Sequence, residues 1–398
     1  MLNTGPWVQA LPPARGGGQA VWTSRVIAIA IVAFIAIIAA YMFISGGREP
    51  ASTAASMTTT ITVTKTATTT ITTTAVETTT VPKTVTFTQT VTQAVPQVEE
   101  KLVLVDALGR TIVVEKPAER VVALAPSITE DICSLGLCNR LVGVDIFSRD
   151  VPGVPEGVVD VGGYWQPSSE KIAELKPDLV LACSGVPAQE QMAQQLEGLG
   201  IRVFFLRCDK ARGFDDIYWD LRAIATLLGK AETADKVIEL MEERVSTLEK
   251  ELANTTRPDV ALLVYLQENG AWVAGGGTFQ DTVIAVAGGS NVFHGLYGWQ
   301  MVGYEELVSR DPDYIIVTGM TPADFNRTIA LAEKTPLRET KAFREGRLCV
   351  LYGAAANALN RPSPGVVDAA YLLASILHPD LVEPPERLAG SYTCMHQS

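Results

Sequence analysis

The most regular pattern of apolar and polar positions lies between Ala231 and Ala253. Its apolar residues recur at steps of three and four, while charged side chains take most of the other positions. The apolar set is Ala234, Val237, Ile238, Met241, Val245, Leu248 and Leu252. No Gly or Pro interrupts the pattern, and Pro258 follows it. This spacing predicts one long amphipathic helix of roughly 35 Å, with one buried face and one wet face.

Short apolar runs alternate with amphipathic segments in the part of the chain before this helix. A hairpin pattern comes first, at 102–114. The strands predicted after it cover 120–125, 141–144, 178–182 and 202–206. The helices predicted between them cover 128–135, 169–175, 188–199 and 214–228. Because alternating strands and helices form a parallel sheet covered by helices, this region is predicted to be an α/β lobe.

A second series of the same kind follows the long helix and predicts a second, smaller α/β lobe. Its predicted strands cover 259–266, 271–274, 314–317 and 348–352. Its predicted helices cover 279–287, 304–309 and 364–377. The two lobes share a detailed echo, since Glu170 and Glu305 each open a short helix seven residues before a Pro-Asp pair that leads into a buried strand. This echo predicts pseudo-symmetry between the lobes.

The N-terminal residues have a different character. The run Val26 to Ile44 is apolar and uncharged for 19 residues, which is long enough to cross a bilayer. Arg15 and Arg25 precede it, so the positive-inside rule predicts a cytoplasmic N-terminus and a body outside the cell. A cleaved signal peptide is the alternative. The segment from residue 51 to 95 contains 21 threonines and few large apolar residues, which predicts an unfolded tether.

Composition narrows the chemistry of the body. The whole chain has a formal charge of −12, and the part from residue 100 onward is acidic without a Lys/Arg-rich face, so nucleic acid is excluded as a partner. The six cysteines form no CxxC pair and the three histidines are scattered, which argues against a structural zinc or iron–sulfur site. Cys183 and Cys208 each end an apolar run and are candidate neighbours. Disulfides and buried free thiols both stay open.

Candidate ligand contacts cluster near the predicted strand ends, where open α/β sheets bind ligands. Loops rich in aromatic residues and glycine lie there, and such rings suit a flat or bulky ligand, although capping of the lobes is the alternative. The candidate residues are Tyr164, Trp165, His294, Tyr297, Trp299, Tyr352 and Arg361. Trp272 lies close to them in the sequence, and the turn at 275–278 suits either an anion or a tight entry into a helix. No GxSxG, HExxH or Walker motif is present, so no catalytic residue is assigned.

Several ordered motifs resemble one family, the substrate-binding proteins of ABC importers for ferric siderophores, haem and cobalamin. The resemblance runs from about Lys101 to Pro379. Its marks are the DALGRT run from Asp106, the RVVALAPSITE run from Arg120, the LGLCNRLVGV run from Leu135, the KPDLV run from Lys176, the AGGSNVF run from Ala287 and the NRPSP run from Asn360. Family members often have RPGPR where this chain has RPSPG, so one basic contact is missing from the motif.

The resemblance implies two α/β lobes bridged by one long helix, with a ligand clamped between them. It also implies that Glu170 and Glu305 dock onto arginines of the membrane permease, with Glu306 as a neighbouring alternative to Glu305. The expected partners are an ABC permease and its ATPase, the membrane, and a small metal chelate. A ferric siderophore is expected first, and cobalamin or haem next. The protein itself is expected to be a monomer without a cofactor or a bound metal of its own.

The expected organisation has six parts. They are a cytoplasmic segment at 1–25, a transmembrane anchor at 26–45, a Thr-rich linker at 46–99, an α/β lobe at 100–230, a bridging helix at 231–253 and a second α/β lobe at 254–398. The expected function is that of a non-enzymatic receptor, tethered to the outside of the cell membrane, for an ABC importer. A two-lobed metal or redox enzyme and a passive stalked surface-layer protein are the alternatives.

Overall fold

The computed structural model describes residues 102–395 of the chain. The predicted anchor at 26–45 and the predicted linker at 46–99 lie outside these residues, as does His396, and the expectations about them stay predictions. Within 102–395, no helix is long and apolar enough to span a membrane. The described chain folds into two α/β lobes, which follow one another in the sequence.

The N-terminal lobe is built on a five-stranded parallel sheet. The strands of this lobe are, in chain order, β1 (Leu102–Val105), β2 (Thr111–Val114), β3 (Val121–Ala123), β4 (Leu141–Val144), β5 (Val159–Asp160), β6 (Gly162–Gly163), β7 (Gln166–Pro167), β8 (Leu179–Cys183) and β9 (Val203–Leu206). The sheet has the order β5-β4-β3-β8-β9, while β1 with β2 and β6 with β7 form separate hairpins. Strands β3, β8 and β9 are buried along their whole length, because helices cover both faces of a parallel sheet.

Four helices described in this lobe follow its strands. They are α1 (Pro126–Ser134), α2 (Ser169–Glu174), α3 (Pro187–Gly198) and α4 (Phe214–Leu227). Helices α1 and α3 begin at a proline, one or two residues before the predicted start. Proline suits the first helical position because its missing N–H group would have no partner there in any case. The α/β pattern predicted for this region is confirmed.

The C-terminal lobe carries a larger, mixed sheet. Its strands are β10 (Asp259–Gln267), β11 (Gly270–Ala274), β12 (Ser290–Asn291), β13 (Trp299–Val302), β14 (Tyr314–Thr318), β15 (Leu348–Leu351) and β16 (Tyr392–Cys394). The order is β13-β11-β10-β14-β15-β16, with β12 beside β10. Strands β10, β14 and β15 are parallel, while β11, β13 and β16 run antiparallel to their neighbours.

The remaining helices complete the fold. They are α5 (Ala231–Glu251), α6 (Phe279–Val286), α7 (Tyr304–Arg310), α8 (Ala323–Glu333), α9 (Lys341–Arg344), α10 (Gly353–Asn360) and α11 (Val366–Leu377). Sequence patterning did not predict α8, α9 or α10. Helix α10 follows Tyr352 as the run GAAANALN, in which small side chains leave no amphipathic period to detect. The edge strand β13 was missed for a similar reason, because three of its four residues are partly or fully exposed.

Helix α5 joins the two lobes and confirms the long amphipathic helix predicted from the sequence. It contacts α4 of the N-terminal lobe, and α6 and α11 of the C-terminal lobe. Its buried side chains are Ala234, Val237, Ile238, Met241 and Leu248. They belong to one continuous apolar core that includes residues of both lobes, such as Val121 and Val260. A separate cluster covers the other face of each sheet.

The echo between the lobes has a structural counterpart. Lys176 and Asp311, which end the two short helices, both adopt left-handed backbone angles, with φ of 46° and 42°. Each is followed by proline and then by an aspartate. The carboxylates of Asp178 and Asp313 each accept a backbone N–H from the residue that leads into, or begins, a central strand of the same lobe, at 3.0 and 2.9 Å. The same device therefore joins helix and sheet in both lobes.

All six cysteines are paired within the described residues. The disulfides are Cys133–Cys138, Cys183–Cys208 and Cys349–Cys394. Cys183 ends β8 and Cys208 follows the adjacent strand β9, so the neighbourhood expected from their positions is confirmed, with Cα atoms 5.5 Å apart. The disulfide at Cys394 attaches the last strand, β16, to β15.

Candidate functional site

A cavity of about 560 Å³ lies between the two lobes, within the size range of small-molecule sites. Both lobes contribute to its wall. The N-terminal lobe supplies Tyr164, Trp165, Ser184, Gly185, Val186, Asp209 and Lys210. The C-terminal lobe supplies Val264, Trp272, Gln280, Trp299 and Asn360. Most of the N-terminal residues follow the C-terminal ends of strands, where the sequence predicted ligand contacts.

Tyr164 and Trp165 form the tip of the hairpin between β6 and β7. Their rings meet edge to face at a centroid distance of 4.8 Å, and Trp165 leaves 63% of its surface exposed. The Tyr164 hydroxyl donates to Asp209 Oδ2 at 2.8 Å. Burial and the negative charge of Asp209 raise the pKa of Tyr164, so the phenol stays protonated. The wall therefore presents one fixed ring and one open ring to a ligand.

The carboxyl group of Asp209 is open to the cleft yet surrounded by protein. This enclosure raises its pKa, while the hydrogen bond from Tyr164 and the charge of Lys210 oppose the shift. The stem of Lys210 lies directly over Gly185, where an added Cβ would come within 2.3 Å of Lys210 Cε. Gly185 also has a φ of +80°, so a glycine is needed at this point of the wall.

Gln189 fixes the hairpin of Tyr164 to the sheet. It is fully buried, and its Nε2 donates to the carbonyl groups of Leu124 and Tyr164 at 3.1 and 2.9 Å. Its Oε1 accepts the backbone N–H of Cys183 at 2.8 Å. One side chain thus joins the ends of β3 and β8 to the aromatic hairpin. Sequence reasoning missed this residue, because a glutamine in an amphipathic helix gives no sign that it is buried.

The wall of the C-terminal lobe is built on the antiparallel strands β11 and β13. Trp272 lies on β11 and Trp299 begins β13, opposite Ala274. The turn at 275–278 packs under the following loop, and a Cβ on Gly276 would lie 2.2 Å from a carbonyl oxygen of that loop. Thr278 then caps α6 by accepting the N–H of Asp281 at 3.2 Å. These contacts favour the tight entry into a helix over an anion site.

Three of the seven ligand contacts predicted from the sequence line this cavity, namely Tyr164, Trp165 and Trp299. The other four do not. Their positions are as follows: His294 contacts Asp281 Oδ2 at 2.9 Å, Tyr297 is 78% exposed, Tyr352 contacts Thr393 Oγ1 at 3.1 Å, and Arg361 pairs with Glu130. The structure adds Trp272, Asp209, Lys210, Gln280 and Asn360 to the wall.

Arg361 connects the lobes beside the cavity. Its Nη1 donates to Glu130 Oε1 at 2.6 Å, and its Nη2 donates to the carbonyl group of Phe147 at 3.3 Å. Ser363 donates to the other oxygen of Glu130 at 2.6 Å. We call this group, formed by Glu130, Arg361 and Ser363, the interlobe clamp. It also borders a second cavity of about 390 Å³ on the side of α1 and α10.

Comparison with known proteins decides the family. The model of the periplasmic binding protein family matches residues 121–354, which is more than half of the chain. This chain belongs to the periplasmic binding protein family. A cobalamin-binding protein of Halobacterium salinarum is 29% identical over 283 residues, which cover 69% of this chain and 73% of that protein. A vitamin B12-binding protein of Yersinia pestis is 32% identical over 203 residues, which cover 51% of this chain and 70% of that protein.

The fold is shared with solved structures as well. A periplasmic haem-binding protein of Pseudomonas aeruginosa superimposes with a TM-score of 0.61 at 24% identity, covering 70% of this chain and 98% of that one. The periplasmic binding protein described here therefore has the α/β fold of its family. The named relatives are binding proteins rather than enzymes, which agrees with the absence of a catalytic motif in the sequence.

The two echoed glutamates of this periplasmic binding protein lie in equivalent places. Glu170 is in the first turn of α2 and Glu305 is in the first turn of α7, and both are exposed. Neither side chain has a hydrogen-bond or ion-pair partner among the described residues. Glu306, by contrast, pairs with Arg310 at 3.0 Å. The geometry therefore distinguishes Glu305 from its neighbour.

Proposed function

We propose that this protein is the extracytoplasmic substrate-binding component of an ABC importer, which captures a metal chelate between its lobes and delivers it to the permease. The observation that carries the proposal is the interlobe cavity, with Tyr164, Trp165, Trp272 and Trp299 in its wall. Aromatic rings bind flat or bulky ligands through stacking and burial of area. In this proposal the body lies outside the cell and the segment at 26–45 tethers it to the membrane.

We place a corrinoid of the cobalamin class ahead of haem and ferric siderophores as the ligand. The sequence alone favoured a siderophore. The relatives named for binding cobalamin and vitamin B12 support the new order. The charge of the cavity supports it too, because Asp209 and Lys210 are the charged residues of the described wall and their formal charges cancel. A corrinoid carries neutral amide groups around its ring, whereas haem and many siderophores carry carboxylates.

The side chains available to a metal ion favour the same ligand. Proteins hold haem iron with His, Cys, Met or Tyr. Of these residue types, the described wall of the cavity contains Tyr164 alone. Its hydroxyl is engaged with Asp209 and its pKa is raised, so it is a poor iron ligand. A cobalamin brings its own cobalt ligands and needs none from the wall.

The two alternative classes fit the cavity less well. A metal or redox enzyme needs free thiolates or other ligands at the lobe interface, but every cysteine is in a disulfide and none is free within 102–395. A passive surface-layer domain needs no aromatic lining between its lobes. Four aromatic side chains converge there instead.

Isothermal titration of the full chain with cyanocobalamin, haemin and a ferric hydroxamate siderophore tests the ligand. We expect saturable binding of cyanocobalamin, with weaker binding of the other two. Preferred binding of haemin or the siderophore would reverse the order while keeping the transport function. Absence of binding to all three would contradict the proposal.

We assign the docking of the permease to Glu170 and Glu305. Both are exposed and without partners among the described residues, so arginines of a permease can pair with them without breaking an existing contact. The test uses Glu170→Ala combined with Glu305→Ala in a reconstituted transporter. We expect the loss of stimulated ATP hydrolysis with unchanged ligand affinity. Glu306→Ala is the matched control, and equal losses from the control and the double variant would contradict the assignment.

A further inference from the structure

A short turn between β9 and α4 supplies the charged part of the cavity wall. It runs from Cys208 to Lys210 as a single 3-10 turn, with Asp209 reaching Tyr164 and Lys210 lying over Gly185. Cys208 has a left-handed backbone with a φ of 47°. This conformation is costly for a residue with a side chain, so surrounding contacts must hold it in place.

Asp220 on α4 holds the backbone at this point. Its carboxyl group is 2% exposed, and its two oxygens accept the N–H groups of Arg207 and Cys208, both at 2.9 Å. The disulfide to Cys183 fixes the side chain of Cys208, but a disulfide leaves the preceding peptide groups free to rotate. The carboxylate of Asp220 is what fixes those peptide groups.

We infer that Asp220 is a positioning residue of the ligand site, whose ionised carboxylate holds the Cys208–Lys210 turn so that Asp209 and Lys210 face the ligand. This inference rests on the proposed function, since it concerns the same cavity. A neutral side chain at this position offers one acceptor at most along with a donor or hydroxyl group. It cannot satisfy both N–H groups, so one of them turns away and the wall shifts.

The groups around Asp220 make its ionisation sensitive to pH. Burial raises the pKa of Asp220 to about 7, while the two backbone N–H groups and Arg207 oppose the shift and Asp216 adds to it. From α1, the buried Asp131 faces it, and burial together with the charges of Asp220 and Glu130 raises the pKa of Asp131 further. Arg207 is itself engaged by Asp216. Protonation of Asp220 therefore falls in the neutral range.

The sign of the effect follows from this arrangement. The turn is held when Asp220 is ionised, so ligand affinity is complete above pH 7 and falls as the pH drops through it. Because apparent affinity scales with the binding-competent fraction, we expect about a tenfold weaker Kd at about pH 6 than at about pH 8. A residue that is merely part of the core would change stability without this dependence of the affinity on pH.

The experiment compares the full-length wild type with Asp220→Asn and with Asp215→Asn, an exposed carboxylate on the same helix. Titrations with cyanocobalamin, or with whichever of the three probes binds, are run at both pH values. We expect Asp215→Asn to behave as the wild type. Asp220→Asn is expected to bind about tenfold more weakly at the higher pH and to lose the pH dependence. A flat wild-type profile would overturn the inference, even if the variant fails to fold.

A second readout needs no ligand and separates this inference from the proposed function. Hydrogen exchange followed by mass spectrometry is measured at one pH for a peptide that spans residues 204–212. We expect faster exchange in Asp220→Asn than in Asp215→Asn, because the N–H groups of Arg207 and Cys208 lose their acceptor. Equal protection in the two variants would overturn the role of Asp220, whether or not any of the three probes binds.

Discussion

Glu130 on α1 and Arg361 after α10 form an ion pair across the two lobes, with 2.6 Å between Oε1 and Nη1. Ser363 occupies the other oxygen of Glu130. The side chains of the pair are 22% and 13% exposed, so water screens them little. Because Asn360 precedes Arg361 and lines the cavity, the interlobe clamp fixes both the lobe spacing and one part of the ligand wall.

Breaking the interlobe clamp is expected to destabilise the protein. Glu130→Gln removes the charge and leaves Arg361 without its carboxylate, which costs about 2 kcal/mol of unfolding free energy for a hydrogen-bonded charge. Denaturant unfolding of the full chain measures this loss. The control is Glu306→Gln, which breaks an exposed pair with Arg310, 40% exposed on both sides, and is expected to cost at most about 0.5 kcal/mol. Equal effects of the two variants would show that the clamp does not hold the lobes together.

The clamp also shows how far the sequence could lead. Glu130 and Arg361 belong to two of the motifs by which the family resemblance was recognised, yet the sequence placed Arg361 on the ligand. Their pairing joins positions 231 residues apart, and no spacing along the chain reveals such a contact. The helices and buried strands were predictable because burial of one face leaves a period in the sequence.

The candidate site was predictable where chemistry shows in the residue type and hidden where it depends on burial. Tyr164, Trp165 and Trp299 stood out as aromatic residues in glycine-rich loops, and they line the cavity. Gln189 and Asp220 gave no signal, because each lies in an amphipathic helix where a polar residue is expected on the wet face. Their roles come from buried contacts with backbone groups of distant strands.

Trp165→Ala is expected to weaken ligand binding. This ring is 63% exposed in the cavity wall, so its removal deletes stacking area without opening the core. We expect the Kd to rise by about tenfold or more, equivalent to about 1.4 kcal/mol. Titration with the ligand that binds measures the change. Tyr297→Ala, an exposed aromatic outside the cavity wall, is the matched control, and a larger loss from the control would place the ligand elsewhere.

Removal of the Cys183–Cys208 disulfide is expected to lower stability and to loosen the ligand wall. The bond closes a loop of 25 residues, for which the loss of chain entropy in the unfolded state corresponds to about 3 kcal/mol. The double variant Cys183→Ala and Cys208→Ala tests this by denaturant unfolding. The same substitution of Cys133 and Cys138, which close a loop of five residues outside the cavity wall, is the comparison. It should leave ligand affinity unchanged, whereas the first double variant should lower it.

The buried Asp131 predicts a dependence of stability on pH. Its carboxyl group is 1% exposed, its Oδ1 has no hydrogen-bond partner, and burial with the charges of Asp220 and Glu130 raises its pKa. The folded state therefore holds a proton that the unfolded state releases at an ordinary pKa near 4. Since the folded state binds more protons, the contribution of this group to the free energy of unfolding falls as the pH rises above that value.

Asp131→Asn isolates this contribution, because asparagine has nearly the shape of the protonated acid but does not ionise. Relative to the wild type, the variant is expected to be more stable at about pH 8 than at about pH 5. Thermal unfolding at the two pH values measures the difference. Asp215→Asn, an exposed carboxylate, should shift little between them. If Asp131→Asn tracks the wild type at both values, Asp131 ionises in the folded state as readily as in water, and the carboxyl group is less enclosed than its burial indicates.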